Sequence, residues 1–352
     1  MTAPSPDAEA LIERRGRAGV IVLNRPKALN ALTLTMVRLI ASALDEWERD
    51  GAVEQIVLLG AGDRAFCAGG DIRRLYELGR AGDHHAQLTF WREEYQLDRR
   101  IKTYPKPIVA LVDGITMGGG VGLAMNAAHA VAGERFVFAM PEVGIGFFPD
   151  VGASWLLPRL PFRAGIYFAL TGLRADAGDA LALGLAQTFV PSAEFPALAK
   201  ALEDEPVKTA LARFAAPPLL SKLIDEAEAI EACFLRLDRA AILEVLREAE
   251  TKGRAFAARA RAAMLDKSPT SQAIALRQMA LGATIDFDEA LRMDYRIVSR
   301  ICRGHDFYEG VRAVIVDKDN RPHWSPPPSR AEIDAYFAPL GDGELKFPAS
   351  GG

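Results

Sequence analysis

The segment GITMGGGVGLAM, residues 114–125, decides how the fold is interpreted, because the three glycines Gly118–Gly120 stand where an apolar run should become a helix. Glycine costs about 1 kcal/mol relative to alanine inside a helix, so a triplet there needs a reason. If the preceding strand turns into a helix that begins near Gly119, the first N–H groups of that helix lack partners within it. Glycines would let a substrate oxygen approach those N–H groups, although they also serve close packing of a helix on a sheet.

Upstream of this segment, β-branched runs alternate with stretches of helical spacing. The run GVIVLNRP precedes the amphipathic stretch TLTMVRLIASALDEWERD, VEQIVLLGAG precedes DIRRLYELGR, and KPIVALVDGIT precedes the glycines. This alternation predicts an α/β architecture. After about residue 200 the strand signals fade, and stretches such as AILEVLREAETKGRAFAARARAAML, residues 241–265, predict helix.

The composition is that of an ordinary soluble globular protein, with 352 residues, 50% hydrophobic residues and 25% charged residues. The formal net charge of -4 does not supply the excess of positive charge with which nucleic-acid-binding proteins neutralise phosphates. No apolar run is long enough to predict a membrane span. The three cysteines fit neither a disulfide framework nor a zinc site, and the five histidines show no ligand spacing. We therefore expect a cytoplasmic protein without a metal, a nucleic-acid partner or a membrane partner.

A second glycine loop lies in DRAFCAGGDI, residues 63–72, where Gly69 and Gly70 separate a strand from a helix start. Such a loop can direct a backbone N–H group outward. One N–H group from this loop and one from the triplet would form an oxyanion hole. Neither loop has the GxGxxG or GxxxxGK[ST] spacing of a nucleotide-binding motif.

Two acids stand out in FAMPEVGIGFFPDVGASWLLPRL, residues 138–160. Glu142 and Asp150 lie among apolar residues, glycines and prolines, and a loop of that length could bring them to one cavity. Apolar walls would raise the pKa values of both carboxyl groups and suit them to acid–base or nucleophilic work at neutral pH.

Taken together, these motifs resemble the crotonase (enoyl-CoA hydratase/isomerase) superfamily. The resemblance rests on NRPKALNAL at 24–32, AFCAGGDI at 65–72 and GITMGGGVGLAM at 114–125, in this order and at these intervals. The acidic segment, FWREEYQLD at 90–98 and the late stretch 293–324 are similar to the 3-hydroxyisobutyryl-CoA hydrolase branch. The resemblance implies a crotonase fold of repeated ββα units and activity on an acyl-CoA thioester.

The resemblance also implies roles for individual residues. The amides of Gly70 and Gly119 would hold the thioester oxygen. Glu142 would attack the acyl carbon or activate water, and Asp150 would orient the β-hydroxyl group or assist proton transfer. A second glutamate of the enoyl-CoA hydratases falls at Gly122, which puts the hydration of a double bond in doubt.

Further residues are implied in substrate binding. Glu94, the second acid of REEY, would contact the substrate, together with Gly119, Glu142 and Asp150. Arg25, Lys27 and Arg73 are candidates for binding the CoA phosphates, and the alternative is that they belong to an ordinary charged surface. No separate cofactor is expected, because coenzyme A is part of the substrate.

The sequence therefore predicts a short-chain β-hydroxyacyl-CoA hydrolase. Residues 1–200 would form the crotonase-fold core with the acyl-CoA site. Residues 201–352 would form a mainly helical region that either completes the site or makes an oligomer contact, and the second alternative implies a homo-oligomer. An enoyl-CoA hydratase or isomerase remains an alternative, as does a non-catalytic acyl-CoA-binding protein, although the latter would have little reason to bury two acids.

Overall fold

The computed structural model describes residues 8–347. Within that range the strands, in chain order, are β1 (Ala10–Arg15), β2 (Ala18–Leu23), β3 (Gln55–Gly60), β4 (Ala65–Cys67), β5 (Ile108–Val112), β6 (Ile115–Met117), β7 (His129–Ala132), β8 (Val137–Ala139), β9 (Ala175–Asp176) and β10 (Thr188–Phe189). The α-helices are α1 (Leu34–Arg49), α2 (Ile72–Arg80), α3 (His84–Lys102), α4 (Gly119–Met125), α5 (Ala153–Leu156), α6 (Ala164–Thr171), α7 (Ala177–Ala182), α8 (Phe195–Ala201), α9 (Val207–Phe214), α10 (Ala227–Cys233), α11 (Arg239–Thr251), α12 (Ala255–Leu265), α13 (Pro269–Gly282), α14 (Phe287–Ile301), α15 (His305–Val311) and α16 (Arg330–Tyr336).

The predicted alternation of strands and helices is confirmed. The Thr33 hydroxyl accepts a 3.1 Å hydrogen bond from the Met36 N–H group and caps α1, which buries its apolar face. Among the described residues no strand follows β10, as the fading strand signals indicated. The stretch 241–265 forms two helices rather than one, because Gly253 adopts a φ of 78° between α11 and α12.

The chain divides into two compact units, and each draws on early and late segments. Among the described residues, the first unit comprises 8–71, 97–139 and 174–226, and the second comprises 72–96, 140–173 and 227–347. The division predicted from the sequence lies at residue 200, between a core with the acyl-CoA site and a helical region. That functional division follows chain order, whereas the two compact units do not, and it stays a prediction.

The first unit contains both sheets. One has the strand order β1-β2-β3-β5-β7-β10 and is parallel except for the antiparallel pair β1–β2. One face of this sheet packs against α8 and α9 through buried apolar side chains, which include Val20, Val57, Val109, Leu111, Val131, Leu198, Leu202 and Leu211. Burial of such side chains on a continuous parallel sheet is the main stabilising contribution to this unit.

The smaller sheet of the first unit positions both glycine loops. Its order is β4-β6-β8-β9, and β4 and β6 are parallel neighbours, with Ala65 opposite Ile115. β4 ends at Cys67, just before Gly69 and Gly70, and β6 ends at Met117, just before the triplet. Because parallel neighbours end at the same edge of a sheet, the two loops lie side by side.

The second unit is helical. Its α6 is buried along its whole length and packs against α12 and α13. The segment 140–160, which carries the candidate acids, forms short helical turns in this unit. Among residues 8–347 no helix is both long enough and apolar enough to cross a membrane.

Candidate active site

The glycine triplet in the first unit serves three different purposes. Gly118 adopts φ 49° and ψ -126°, which side chains rarely allow, and turns the chain into α4. At Gly120 a Cβ atom would lie 2.2 Å from the Cys67 carbonyl oxygen, so this glycine permits close packing of α4 on β4. Gly119 is the first residue of α4, as predicted, and its N–H group therefore has no acceptor within the helix.

The amide of Gly70 is presented by a short parallel bridge between Gly70 and Leu32. The Leu32 N–H group donates to the Gly69 carbonyl and the Asp71 N–H group donates to the Leu32 carbonyl, each at 2.8 Å. Successive N–H groups of an extended chain point in opposite directions, so the Gly70 N–H group is directed away from Leu32. A Cβ atom on Gly69 would lie 3.6 Å from the Gly119 nitrogen. The first unit thus brings the two predicted amide donors into one neighbourhood.

The three candidate cations for CoA differ in their surroundings. The Arg25 guanidinium donates to Asp71 at 3.0 Å and to the Ala31 carbonyl at 2.6 Å, which ties the NRPK loop to the Gly70 loop. Lys27 is exposed. Arg73, in the second unit, is exposed and donates to the Ile315 carbonyl at 3.0 Å. Arg25 has a structural role within its own unit, and CoA binding by all three residues stays a prediction.

The three predicted carboxyl groups belong to the second unit, and all are buried. Glu94 is 3% exposed, Glu142 is 6% exposed and Asp150 is 4% exposed. Glu94 lies on α3, Glu142 begins the 3-10 turn Glu142–Ile145, and Asp150 precedes α5. One oxygen each of Glu94 and Glu142, Oε1 and Oε2 respectively, is buried without a hydrogen-bond partner among the described residues. Buried oxygens of this kind mark a place where a substrate group can bind.

Burial shifts the ionisation of these groups as the sequence indicated. Burial, followed by the negative charge of Asp150, raises the pKa of Glu94 and of Glu142 well above the ordinary value. Burial also raises the pKa of Asp150 to about 7, against hydrogen bonds that lower it. A carboxyl group with a pKa near neutral pH, as at Asp150, is suited to general acid–base catalysis.

Two further residues next to Asp150, Tyr95 and Asp294, were not among the site residues predicted from the sequence. The Tyr95 hydroxyl donates a 2.7 Å hydrogen bond to Asp150 Oδ2, and both groups are buried. Asp294 on α14 is fully buried, and burial together with the charge of Asp150 raises the pKa of Asp294 to about 8. A signal for Asp294 was present, because this acid lies at helical spacing among the buried apolar residues Phe287, Leu291, Val298 and Ile301.

The late motif RGHDFYEGVRA supports the turn that begins with Glu142. A Cβ atom on Gly310 of α15 would lie 2.3 Å from the carbonyl carbon of Ile145, so helix and turn are in backbone contact. The Asp306 carboxylate accepts hydrogen bonds from the Ser268 hydroxyl at 2.6 Å and from the Ser325 N–H group at 2.8 Å. The Asp306 carboxylate therefore has a structural role, because it joins α15 to Ser268 and Ser325.

The described residues contain no group of three or more His, Cys, Asp or Glu side chains that could hold a metal ion. Cys67 beside the first glycine loop is fully buried, and it packs under Gly120. This agrees with a packing role for its side chain.

Comparison with known proteins extends these observations. Residues 18–337 match the family model described as enoyl-CoA hydratase/isomerase. The chain is 42% identical to a mitochondrial 3-hydroxyisobutyryl-CoA hydrolase of Danio rerio, over 99% of this chain and 94% of that protein. It is 44% identical to the Rattus norvegicus protein of the same name, over 99% and 93% of the two chains.

Two solved structures share the fold over nearly the whole chain. A carnitinyl-CoA dehydratase from Mycobacterium thermoresistibile has a TM-score of 0.92 at 37% identity, covering 98% of this chain and 100% of that one. An enoyl-CoA hydratase from Rhodobacter sphaeroides has a TM-score of 0.90 at 42% identity, covering 97% and 100%. The crotonase fold predicted from the sequence is thereby confirmed. The names of these proteins include a hydrolase, a dehydratase and a hydratase, so the residues of the site must distinguish the reactions.

Proposed function

The chain belongs to the enoyl-CoA hydratase/isomerase family, and on that basis we propose that it hydrolyses the thioester of a short-chain β-hydroxyacyl-CoA, with 3-hydroxyisobutyryl-CoA as substrate. The products are 3-hydroxyisobutyrate and CoA. The names of the full-length relatives support this substrate. The proposal includes a place in valine breakdown, which follows from the substrate. The cellular compartment and the oligomeric state stay predictions.

The proposal rests mainly on the positions of the carboxyl groups: Glu142 and Asp150 are present, whereas α4 carries none. Every residue of α4 is buried, and this helix offers the Gly119 amide but no carboxyl group, since Gly122 replaces the glutamate of the hydratases. Hydration needs an acid or base that delivers a proton to the α-carbon. Hydrolysis needs a polarised carbonyl and a nucleophile, for which backbone amides with Glu142 and Asp150 suffice.

In the proposed mechanism, the Gly70 and Gly119 N–H groups donate hydrogen bonds to the carbonyl oxygen of the thioester and stabilise the negative charge that develops there. In one route, a Glu142 carboxylate oxygen bonds to the acyl carbon, the C–S bond breaks, and the CoA thiolate leaves and takes up a proton. Water then opens the resulting anhydride and regenerates Glu142. In the other route, Glu142 removes a proton from a water molecule that attacks the same carbon. Asp150 orients the β-hydroxyl group or assists the proton transfer, and Glu94 contacts the substrate.

The Tyr95→Phe variant tests the role of Asp150. The Tyr95 hydroxyl stabilises the ionised Asp150 and so lowers its pKa against the larger effect of burial. Removing this donor raises the pKa of Asp150, and we expect the limb of the pH–kcat profile that reports its ionisation to move up by about one pH unit. Thiol release measured from pH 5 to 9 gives the shift. An unmoved limb would show that Asp150 ionisation does not control turnover.

The proposed function is tested with a panel of CoA thioesters, with thiol release and enoyl absorbance measured in parallel. We expect rapid thiol release from 3-hydroxyisobutyryl-CoA, and slow or no loss of absorbance from crotonyl-CoA. Rapid loss of the enoyl absorbance without thiol release would identify a hydratase instead. Tight binding of both thioesters without either reaction would identify a non-catalytic acyl-CoA-binding protein.

A further inference from the structure

The segment Pro149–Gly152, which carries Asp150, has a strained backbone. Val151 adopts a φ of 54° although its side chain is β-branched, and Gly152 follows with a φ of 83°. A β-branched residue at positive φ is a genuine outlier, because its side chain clashes with the backbone in this region. Such a conformation persists only when surrounding contacts determine it. Neighbouring side chains must therefore hold this segment in place.

Two buried polar side chains hold the segment on both sides of Asp150. Before it, the Gln278 amide nitrogen on α13 donates a 2.7 Å hydrogen bond to the Pro149 carbonyl. After it, the Gly152 N–H group donates to Asp294 Oδ2 at 3.2 Å. The same Gln278 nitrogen also donates to Asp294 Oδ1 at 2.8 Å, which joins the two contacts into one network. Gln278 and Asp294 are fully buried.

Helix α14 fixes the segment by packing as well. A Cβ atom on Gly152 would lie 2.5 Å from the Phe287 ring, so the backbone of the segment rests directly on this side chain. Phe287 and Asp294 are seven residues apart on α14 and therefore lie on the same face of the helix. The contact and the hydrogen bond together prevent the strained turn from relaxing.

We propose that Gln278 and Asp294 are positioning residues that hold the Asp150 carboxyl group in its reactive orientation. This inference rests on the proposed function, in which Asp150 touches the substrate. Neither side chain takes part in bond making, and both act through the backbone on either side of Asp150. A displacement of about 1 Å at a reacting group can cost about 100-fold in rate, so a loosened segment would affect turnover strongly.

The network also explains why position 294 carries an acid. Two donors converge on it, one from Gln278 and one from the Gly152 backbone, and a carboxyl group offers an acceptor oxygen to each. An amide has only one oxygen, so asparagine would leave one of the two donors without an acceptor. A carboxyl group therefore fits the hydrogen bonds at this position better than an amide does.

The test compares two buried glutamines on α13. Gln278→Met removes the two hydrogen bonds that Gln278 donates to Pro149 and Asp294, at similar side-chain volume. Gln272→Met is the matched control, because Gln272 is also fully buried and its amide nitrogen also donates two hydrogen bonds, in this case to the carbonyl oxygens of Leu170 and Met264. Both variants should lose similar thermal stability. We expect kcat for 3-hydroxyisobutyryl-CoA to fall about 10- to 100-fold in Gln278→Met, with KM within about threefold of the original value. In Gln272→Met we expect kcat to be retained.

Asp294→Asn serves as a second variant that preserves volume, in case Gln278→Met does not fold. We expect a smaller fall in kcat with KM again little changed. Equal losses of kcat in Gln278→Met and Gln272→Met, or an unchanged kcat in a folded Gln278→Met or Asp294→Asn protein, would overturn the positioning role while leaving the hydrolase intact. If the unmodified protein releases no thiol, the proposed function itself fails, and the inference fails with it.

Discussion

The Glu142→Gln protein is expected to lose nearly all thioester hydrolysis while it still binds acyl-CoA. Glutamine keeps the size of the side chain but can neither attack the acyl carbon nor remove a proton from water. Loss of a general base or nucleophile typically costs about 10²- to 10⁴-fold, and we expect a decrease in kcat in that range. Thiol release measures kcat, and calorimetry with a non-hydrolysable acyl-CoA thioether measures binding.

A matched control is Glu228→Gln, an exposed glutamate on α10 in the same unit. Its kcat should equal that of the unmodified protein. Should Glu142→Gln fold normally and turn over at a similar rate, Glu142 would have no part in the mechanism. A loss of binding with an unchanged kcat would indicate that Glu142 holds the substrate in the ground state rather than reacting with it.

The Gly119→Pro protein is expected to lose about 10²- to 10³-fold in kcat, because proline has no N–H group to offer the thioester oxygen. At this position the substitution removes the N–H group without removing a hydrogen bond of the helix. Gly119 is the first residue of α4, where proline is tolerated and where no helical hydrogen bond is lost. The reference variant is Gly119→Ala, which keeps the N–H group.

Circular dichroism and the melting temperature must first show that both Gly119 variants fold. A large loss of kcat in the proline variant alone then identifies the amide as the functional group. Equal activity of the two variants would remove this loop from the oxyanion hole. Equal loss in both would instead indicate that position 119 has no room for a side chain.

The glycine loops and the candidate acids could be predicted because their signals are local. The start of α4 at Gly119 follows from a strand that ends in glycines, and the burial of Glu142 and Asp150 follows from their apolar surroundings in sequence. Short-range patterns of this kind survive folding, because the same neighbours surround the residue in the folded chain.

The burial of Asp294 could be predicted from its helical spacing, but the contacts of Tyr95 and Asp294 could not be assigned in this way, because their partners are distant in sequence. Tyr95 reaches Asp150 across 55 positions, and Asp294 reaches Gly152 across 142 positions. No periodic pattern encodes such pairs. The grouping of segments into two interleaved units is equally a product of tertiary packing. The hydrogen bonds that Arg25 donates to the Asp71 side chain and the Ala31 carbonyl were likewise not predicted from the sequence, and CoA binding by Arg25 stays a prediction.

The backbone contact between Gly310 and Ile145 determines how mutational data on this protein must be interpreted. Any side chain at position 310 would push α15 off the turn that begins with Glu142, so inactive variants will arise at a glycine that never meets the substrate. A genetic screen scored by growth alone would place Gly310 beside Glu142 as equally essential. The yield of soluble protein separates them: variants at Gly310 fail to accumulate, whereas Glu142→Gln accumulates normally and is inactive.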